Sequence, residues 1–384
     1  MNKKIIYLDY GATTPLFKEV YTEMEPYIMK YYGNGSSVYS FSEESKMAID
    51  LARERVADAI NCKKSEVFFT SGGTESDNWA IKGAAFANKK KGKHIITTQI
   101  EHPAVLKTCK YLKTVGFEVT YLPVDKYGIV DIDKFKASIK ADTILVSIMY
   151  ANNEIGSIQP IKEIGKILKD KDIIFHSDGV QAAGHLNIDV EEQYIDLLSI
   201  SAHKFHGPKG SGALYIRKGV KIESFMHGGS QERSKRAGTE NTPAIVGLGK
   251  AIELSKLNMK EEEQKLESYR KKLIDGLLTI PNTWLNGPDP SMSKRLPGNV
   301  NITFQGIDAE IILMHLDLKG ICISVGSACS AGAMEPSHVL LALGLDKLSA
   351  KSSIRISMGF ETTEEEVDFT IDVINEVVNK IRNK

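Results

Sequence analysis

Lys204 occupies an unusual position for a solvated charge. It lies just past an apolar run, Leu197–Ser201, among small residues. Partial burial there would lower the pKa of its amine and suit it to imine formation with an aldehyde. The ordinary alternative is a lysine whose stem is buried and whose amine reaches solvent. His203 and His206 flank it, but no cysteine, carboxylate or third histidine stands at a metal-ligand spacing, so no metal site is predicted.

Polar residues also follow other apolar runs. Asp178 can pair with a cation and Gln181 with a hydrogen-bond acceptor, although a simple turn aspartate is the alternative. His102, in the stretch Glu101-His-Pro, suits acid–base chemistry or stacking on a flat ring, although a lone histidine is more often structural. The stretch Tyr150-Ala-Asn-Asn-Glu-Ile-Gly supplies amides that can hydrogen-bond a ligand.

A glycine pair precedes a predicted helix in Thr70-Ser-Gly-Gly-Thr-Glu-Ser-Asp-Asn. Glycines let a ligand approach the backbone, and the free N–H groups at a helix start attract an anion such as phosphate. The hydroxyl of Thr74 can add a hydrogen bond. The alternative is a helix start that Thr74 merely caps. No Gly-Lys-Ser/Thr follows, so this is not the phosphate loop of nucleotide hydrolases.

These stretches share one structural setting, because each follows a predicted strand. Strand-like runs alternate with helical runs from about residue 65 to 220, which predicts an α/β fold with a mostly parallel sheet flanked by helices. Ligands of such sheets bind at the carboxyl ends of the strands. A flat, phosphorylated aldehyde with a pyridinium nitrogen would use the lysine, the aspartate, the histidine and the phosphate cup together. The sequence therefore predicts pyridoxal 5'-phosphate as the cofactor.

The four cysteines differ in their surroundings. Cys329 lies in Ser324-Val-Gly-Ser-Ala-Cys-Ser-Ala-Gly, a run of small residues that suits an exposed, reactive thiol. The alternative, a buried packing cysteine, fits Cys62, Cys109 and Cys322 better, because their neighbours are bulkier. Four cysteines are too few for a disulfide scaffold, and none forms the CxxC pair of a zinc site.

The net charge and the lengths of the apolar runs argue against several classes of function. Lysine plus arginine number 49 and aspartate plus glutamate also number 49, so the net charge is 0. Binders of nucleic acid or of anionic membranes are usually basic, so neither partner is expected. No window supplies the roughly 20 apolar residues that a bilayer requires. The N-terminal apolar run stops at Asp9, too early for a signal peptide. A cytoplasmic location is predicted.

The pattern changes near residue 243, where a long helical stretch rich in lysine and glutamate begins. Shorter strands and helices follow it to the end, which predicts a smaller α+β domain. We expect an N-terminal segment, 1–15, packed with that small domain. We expect a large cofactor-binding domain over 16–255 and a small C-terminal domain over 256–384 that carries the Cys329 loop.

The ordered motifs resemble those of the cysteine desulfurases in the class V aminotransferase group, most closely the NifS/IscS-like branch. The resemblance covers essentially the whole chain. The motifs that carry it are, in order, Tyr7-Leu-Asp-Tyr-Gly-Ala-Thr-Thr-Pro, Ser71-Gly-Gly-Thr-Glu-Ser-Asp-Asn, Glu101-His-Pro, Asn152-Asn-Glu-Ile-Gly, Asp178-Gly-Val-Gln, Ser201-Ala-His-Lys-Phe-His-Gly-Pro-Lys-Gly, Arg236-Ala-Gly-Thr-Glu-Asn, Gly326-Ser-Ala-Cys and Ser353-Ile-Arg-Ile-Ser.

The resemblance implies a fold-type I pyridoxal-phosphate enzyme with defined cofactor contacts. Lys204 would hold the cofactor, His102 would stack on its ring, and Asp178 would pair with the ring nitrogen. The residues implied to face the ring oxygen are Gln181 and Asn153. The residues implied to hold the phosphate are Gly73, Thr74, Ser201 and His203, with Thr239 arriving from a second subunit.

The resemblance also implies the reaction and the partners. L-cysteine would become L-alanine, with its carboxylate bound by Arg355 and Asn34 and its sulfur taken as a persulfide by Cys329. The family is homodimeric, and the sulfur would pass to an iron–sulfur scaffold or another acceptor protein. No intrinsic metal is implied, although Cys329 would transiently contact a cluster on that partner.

Some positions depart from the family pattern. Gly35 and Tyr39 stand where proline and histidine are frequent, Gly11 replaces a commoner alanine, and Ser230 replaces a glycine. The sequence stops soon after its last predicted helix, whereas relatives dedicated to general cluster assembly carry a longer tail, so a NifS-like form is expected.

Two other functions remain as alternatives. Another pyridoxal enzyme, such as an aminotransferase or a selenocysteine lyase, would not need the Cys329 thiol for transamination. A non-catalytic sulfur relay or scaffold would not need Lys204 and Asp178.

Overall fold

The computed structural model describes residues 4–291, 294–325 and 335–383. Cys329 lies outside these ranges. The strands are β1 (Ile6–Tyr7), β2 (Val67–Thr70), β3 (His94–Thr98), β4 (Glu118–Leu122), β5 (Thr143–Ser147), β6 (Ile174–Asp178), β7 (Leu197–Ser201), β8 (Gly212–Ile216), β9 (Thr283–Leu285), β10 (Asn299–Phe304), β11 (Ile321–Cys322), β12 (Ser324–Val325) and β13 (Ser353–Ser357).

The described helices surround these strands. They are α1 (Lys18–Met29), α2 (Glu43–Ile60), α3 (Gly73–Asn88), α4 (Pro103–Thr114), α5 (Ile132–Ser138), α6 (Ile161–Lys169), α7 (Gln231–Ser234), α8 (Thr242–Leu277), α9 (Ala309–Lys319), α10 (His338–Ala342), α11 (Lys347–Lys351) and α12 (Glu364–Arg382). None of the helices in the described ranges combines the length and apolar character that a bilayer crossing needs.

A seven-stranded sheet forms the centre of the larger half, in the order β2-β8-β7-β6-β5-β3-β4. The pairs from β7 to β4 are all parallel, and β8 runs antiparallel to both of its neighbours. Strand β7 is buried along its whole length, because helices cover both faces of such a sheet. The predicted α/β class with a mostly parallel sheet is therefore confirmed.

A smaller antiparallel sheet, β12-β13-β10-β9, forms the centre of the C-terminal half. The N-terminal strand joins this half, because β1 pairs in parallel with β11. Ile6 and Leu8 pack in the same apolar core as the small sheet. Helix α8 runs without a break through residue 255, so the division into domains near that residue stays a prediction.

Two features differ from the sequence-based expectation. The sequence pattern predicts one strand over 321–324, but two short strands form there, because β11 pairs with β1 while β12 pairs with β13. The sequence pattern predicts no helix or strand over residues 11–64. The structure has α1 and α2 there, and both helices pack against α8.

Candidate active site

A cavity of about 360 Å³ lies between the carboxyl ends of the large-sheet strands and the small sheet. Its lining includes ten of the thirteen residues predicted for the site. Those ten are Gly73, Thr74, His102, Asn153, Asp178, Gln181, Ser201, His203, Lys204 and Arg355. The shared position at strand ends explains why separate motifs meet at one place.

Two predicted residues in the described ranges, Asn34 and Thr239, do not line this cavity. Cys329 lies outside the described residues. Asn34 and Thr239 are exposed at the surface. Their two loops touch each other, because the Ser36 hydroxyl donates to Glu240 Oε2 at 3.3 Å. Any contact of Asn34 or Thr239 with a ligand in this chain would need a rearrangement or a second subunit.

The Lys204 amine is held inside the cavity by two backbone carbonyls. Nζ donates to the oxygens of Gly11 and Ala12, each at 2.7 Å. Burial, and after it the charge of Arg355, lower the pKa of Lys204 to about 8, against the opposing effects of Asp9 and Asp178. A substantial neutral fraction near physiological pH is what a nucleophilic amine requires.

Asp178 and His102 have polar atoms within 4.8 Å of each other in the cavity lining, and this part of the cavity is called its inner end. Asp178 is buried at the end of β6 and accepts the Val180 N–H at 3.0 Å. The His102 ring faces the open cavity, and its Nδ1 accepts the Ala104 N–H at 3.1 Å. The proton of the neutral ring is therefore on Nε2. Burial lowers the pKa of His102, which Asp178 opposes.

The glycine-rich start of α3 also lines the cavity. Gly72 has a φ of +146°, which favours glycine, and a Cβ at Gly73 would lie 2.6 Å from Val180 Cγ2. Among the described residues, the Gly73 and Thr74 N–H groups have no hydrogen-bond acceptor. His203 is neutral, since burial lowers its pKa to about 4. Free N–H groups at a helix start suit a phosphate here.

Arg355 reaches the cavity from the small sheet. Its Nη2 forms an ion pair with Asp9 Oδ1 at 2.6 Å, and its Nη1 donates to the Asn153 carbonyl at 3.4 Å. Its Nε is buried without a partner among the described residues. A guanidinium with an unused donor can still bind a carboxylate.

Sequence reasoning missed several residues of this site. Asp9 is the partner of Arg355, and Asp77, Glu101 and His338 line the cavity. Burial raises the pKa of Glu101 to about 8. His338 donates from Nε2 to the Glu101 carbonyl at 3.0 Å. Asp77 and Glu101 stood inside quoted motifs, whereas only the serine cap before α10 signalled the position of His338.

The remaining cysteines are poor nucleophiles. Cys109 is buried as predicted, whereas Cys62 and Cys322 are only partly buried. Burial raises the pKa of all three thiols, that of Cys109 to about 12.

A mostly parallel sheet that places a half-buried lysine, a buried aspartate and a glycine-rich helix start around one cavity is the architecture of an α/β enzyme. The family model described as "Aminotransferase class-V" matches residues 6–369. The chain belongs to this family, which confirms the resemblance seen in the sequence.

Two proteins named as cysteine desulfurases are similar to this chain over nearly its whole length. The chain is 56% identical over 383 residues to "Cysteine desulfurase IscS" of Clostridium botulinum, covering all of this chain and 96% of that protein. It is 57% identical to the protein of the same name from Methanosarcina thermophila, covering 99% and 93% of the two chains. A solved structure titled "NIFS-LIKE PROTEIN" superposes with a TM-score of 0.92 at 40% identity, covering 98% and 100%.

A further solved structure was determined with an amino acid. "SspA in complex with cysteine" superposes with a TM-score of 0.82 at 37% identity, covering 92% of this chain and 99% of that one.

Proposed function

We propose that this protein is a pyridoxal-phosphate-dependent cysteine desulfurase. It converts L-cysteine to L-alanine and carries the sulfur as a persulfide on Cys329, for transfer to an acceptor in iron–sulfur cluster assembly. The observation that carries the proposal is the convergence of Lys204, Asp178 and the Gly73 helix start on one cavity. The full-length relatives named as cysteine desulfurases support it.

The residues present fit pyridoxal phosphate. Lys204 supplies an amine of lowered pKa, Asp178 a buried carboxylate, and Gly73 and Thr74 free N–H groups, all lining the same cavity. His102 would lie on the ring, while Gln181 and Asn153 reach its oxygen side. The other phosphate contacts would come from Ser201, His203 and the partner's Thr239. When bound, the cofactor supplies an electron sink for the carbanion at the substrate α-carbon.

The chain's own residues would perform the remaining work. Arg355 binds the substrate carboxylate, helped by Asn34, and the Lys204 amine accepts the α-proton. The Cys329 thiolate attacks the substrate sulfur, so that an S–S bond forms as the C–S bond breaks. The electron pair of the C–S bond stays with the three-carbon fragment, which is protonated and leaves as alanine. The raised pKa values of the other three thiols favour Cys329 as the acceptor.

A homodimer is part of the proposal. Apolar side chains are exposed near the Asn34 loop, among them Tyr32, Val38 and Tyr39. A second copy of the chain would cover them and bring its Thr239 to the neighbouring site. The acceptor protein, the cytoplasmic location and the absence of an intrinsic metal stay predictions.

The reaction itself is the test of the proposed function. Purified protein loaded with pyridoxal phosphate should release equal amounts of alanine and, with a reductant, sulfide from L-cysteine. Amino-group transfer to a keto acid without sulfide would instead identify an aminotransferase. Protein that binds no pyridoxal phosphate would contradict the proposal altogether.

Arg355→Ala should raise the KM for cysteine by about 10–150-fold, the effect of losing a charged hydrogen bond of about 1.5–3 kcal/mol. Cofactor absorbance should be nearly unchanged, because Arg355 lies on the small sheet, away from the phosphate end. Arg355→Lys is the matched control, since it keeps the positive charge but not the planar guanidinium group. Its KM for cysteine should lie between those of the wild type and of Arg355→Ala. An unchanged KM would assign the carboxylate to another residue.

Attachment of the cofactor to the cofactor-free protein should depend on pH through Lys204. Only the neutral amine condenses with an aldehyde, and the pKa of Lys204 is lowered to about 8. The attachment rate, followed by visible absorbance, should rise with pH and level off above an inflection near that value. An inflection near the ordinary lysine pKa of about 10.4 would contradict the burial argument.

A further inference from the structure

A second buried carboxyl group lies behind Asp178. Asp77, on α3, is only 1% exposed and lines the same cavity. Carboxylate oxygens of Asp77 and Asp178 and a ring nitrogen of His102 all lie within 4.8 Å of one another. Two carboxylates this close and this buried cannot both be charged without a cation between them, because each has lost its water and repels the other. The pair therefore holds one proton.

The surroundings decide which carboxyl group carries the charge. Burial raises the pKa of Asp178, but His102, the Val180 N–H and Lys204 all oppose this rise. The pKa of Asp77 is raised further, by burial, by Asp178 and by Glu101, and only a hydrogen bond from Ser199 opposes it. Its Oδ1 is buried without a hydrogen-bond partner among the described residues. The charge belongs on Asp178 and the proton on Asp77.

His176 does not supply a compensating cation. Its Nε2 lies 3.6 Å from Asp77 Oδ1. Its Nδ1 is 2.9 Å from the Ser147 hydroxyl, and its Nε2 is 3.0 Å from the Ser199 hydroxyl. Burial lowers the pKa of His176 to about 3, so the ring is neutral. The Ser199 hydroxyl also forms a hydrogen bond with Asp77. A neutral histidine ring can carry its proton on either nitrogen, so each hydrogen bond from Ser147 through His176 to Ser199 can run in either direction. The Ser199 hydroxyl can therefore accept a hydrogen bond from a protonated Asp77.

We propose that Asp77 is a positioning residue that stays protonated, so that the inner end of the cavity carries one negative charge, on Asp178. The proposal rests on the proposed function in one respect, since this single charge would match the single positive charge of a protonated cofactor ring nitrogen. An ionised Asp77 would add a buried charge without a partner. The other titratable groups that face Asp77 are Glu101, His102 and His176.

The charge state can be measured without the cofactor. Infrared difference spectra of the cofactor-free protein at neutral pH should show a carboxylic-acid carbonyl band in the wild type that Asp77→Asn lacks. Glu101→Gln is the matched control and should remove a different band, because the pKa of Glu101 is raised to about 8. Absence of an Asp77 band would overturn the proposal. Titrating the bands of the wild type and of Glu101→Gln provides the same test if Asp77→Asn fails to fold.

The pH dependence of stability provides a second measure. An aspartate whose pKa is raised on folding binds its proton more tightly in the folded chain than in the unfolded chain, where the value is about 3.9. Stability therefore falls as pH rises from about 4 towards the raised pKa, by up to about tenfold in the folding equilibrium constant per pH unit. Asp77→Asn should flatten this fall in the cofactor-free protein. An unchanged curve would contradict a protonated Asp77.

Cofactor affinity should respond differently to substitutions of Asp77 and of Asp178. Asp77→Ala should weaken cofactor binding because it removes the side chain next to Asp178. Asp77→Asn should bind the cofactor as the wild type does, because the amide keeps the shape of the protonated carboxyl group and carries no charge. Asp178→Asn removes the single charge and should weaken binding by about 10–150-fold. Equal losses in the two asparagine variants would overturn the proposal but not the proposed function. A wild type that binds no cofactor would overturn the proposed function, whereas the infrared and stability results would still decide the state of Asp77.

Discussion

Replacing Lys204 by alanine is expected to abolish the visible absorbance of lysine-bound cofactor and to stop alanine release from cysteine. The amine lies in the cavity beside Asp178, held by the Gly11 and Ala12 carbonyls. A methyl group can neither attach the cofactor nor accept the substrate α-proton. Loss of a general base alone lowers the rate of a reaction by about 10²–10⁴-fold. Alanine release measured by amino-acid analysis, together with the absorbance spectrum, checks both effects.

Lys218→Ala is the matched control for this variant. Lys218 is an exposed lysine just past β8 and does not line the cavity. Its replacement should leave absorbance and turnover as in the wild type. Near-normal alanine release by Lys204→Ala would show that the amine assignment is wrong.

Cys329→Ser should retain the cofactor absorbance and its change on adding cysteine, yet lose desulfuration. The cofactor contacts proposed above do not include the thiol. A hydroxyl is not a useful nucleophile near neutral pH, because it is not ionised there, whereas a thiol is partly ionised. Mass spectrometry of the wild type after cysteine treatment should find one added sulfur atom on the peptide that contains Ser327-Ala-Cys-Ser.

The other cysteines are the controls for this experiment. Cys109→Ala should cost stability because the side chain is buried, and Cys322→Ala should cost less. Neither should change the persulfide. Sulfur found on Cys322, or full activity in Cys329→Ser, would overturn the sulfur-transfer step and leave the cofactor assignment standing.

The parallel sheet and most of the cavity lining could be predicted because both follow from local pattern. The sequence pattern predicts strands over His94–Thr98 and Leu197–Ser201, and these are the bounds of β3 and β7. His102 and Lys204 come shortly after a strand and Asp178 is the last residue of one, so one rule about strand ends places all three together. The sequence alone also suggested the α3 start, where close packing allows only glycine at Gly73.

The remaining features depend on contacts between distant parts of the chain. Arg355 and Asp9 are 346 positions apart, and nothing near either residue points to the other. Asp77 belonged to a quoted motif, but only the fold brings its carboxyl group next to that of Asp178. Helices α1 and α2 carry no chemistry-bearing motif and were missed, although they cover α8.

The pairing of the N-terminal segment with the small sheet has a consequence for synthesis of the chain. Gly11, whose carbonyl accepts from Lys204, also donates its N–H to Ser357 Oγ, 346 positions later. A ribosome that adds about 5–20 residues per second needs roughly 20–70 s to cover that interval. For most of this time the first strand lacks its partner β11, and Gly11 lacks Ser357 throughout, so the large sheet can form before the lysine is fixed in place. Productive capture of the cofactor should therefore be a late, post-translational event, and a truncated nascent chain should fold its large sheet without retaining the cofactor.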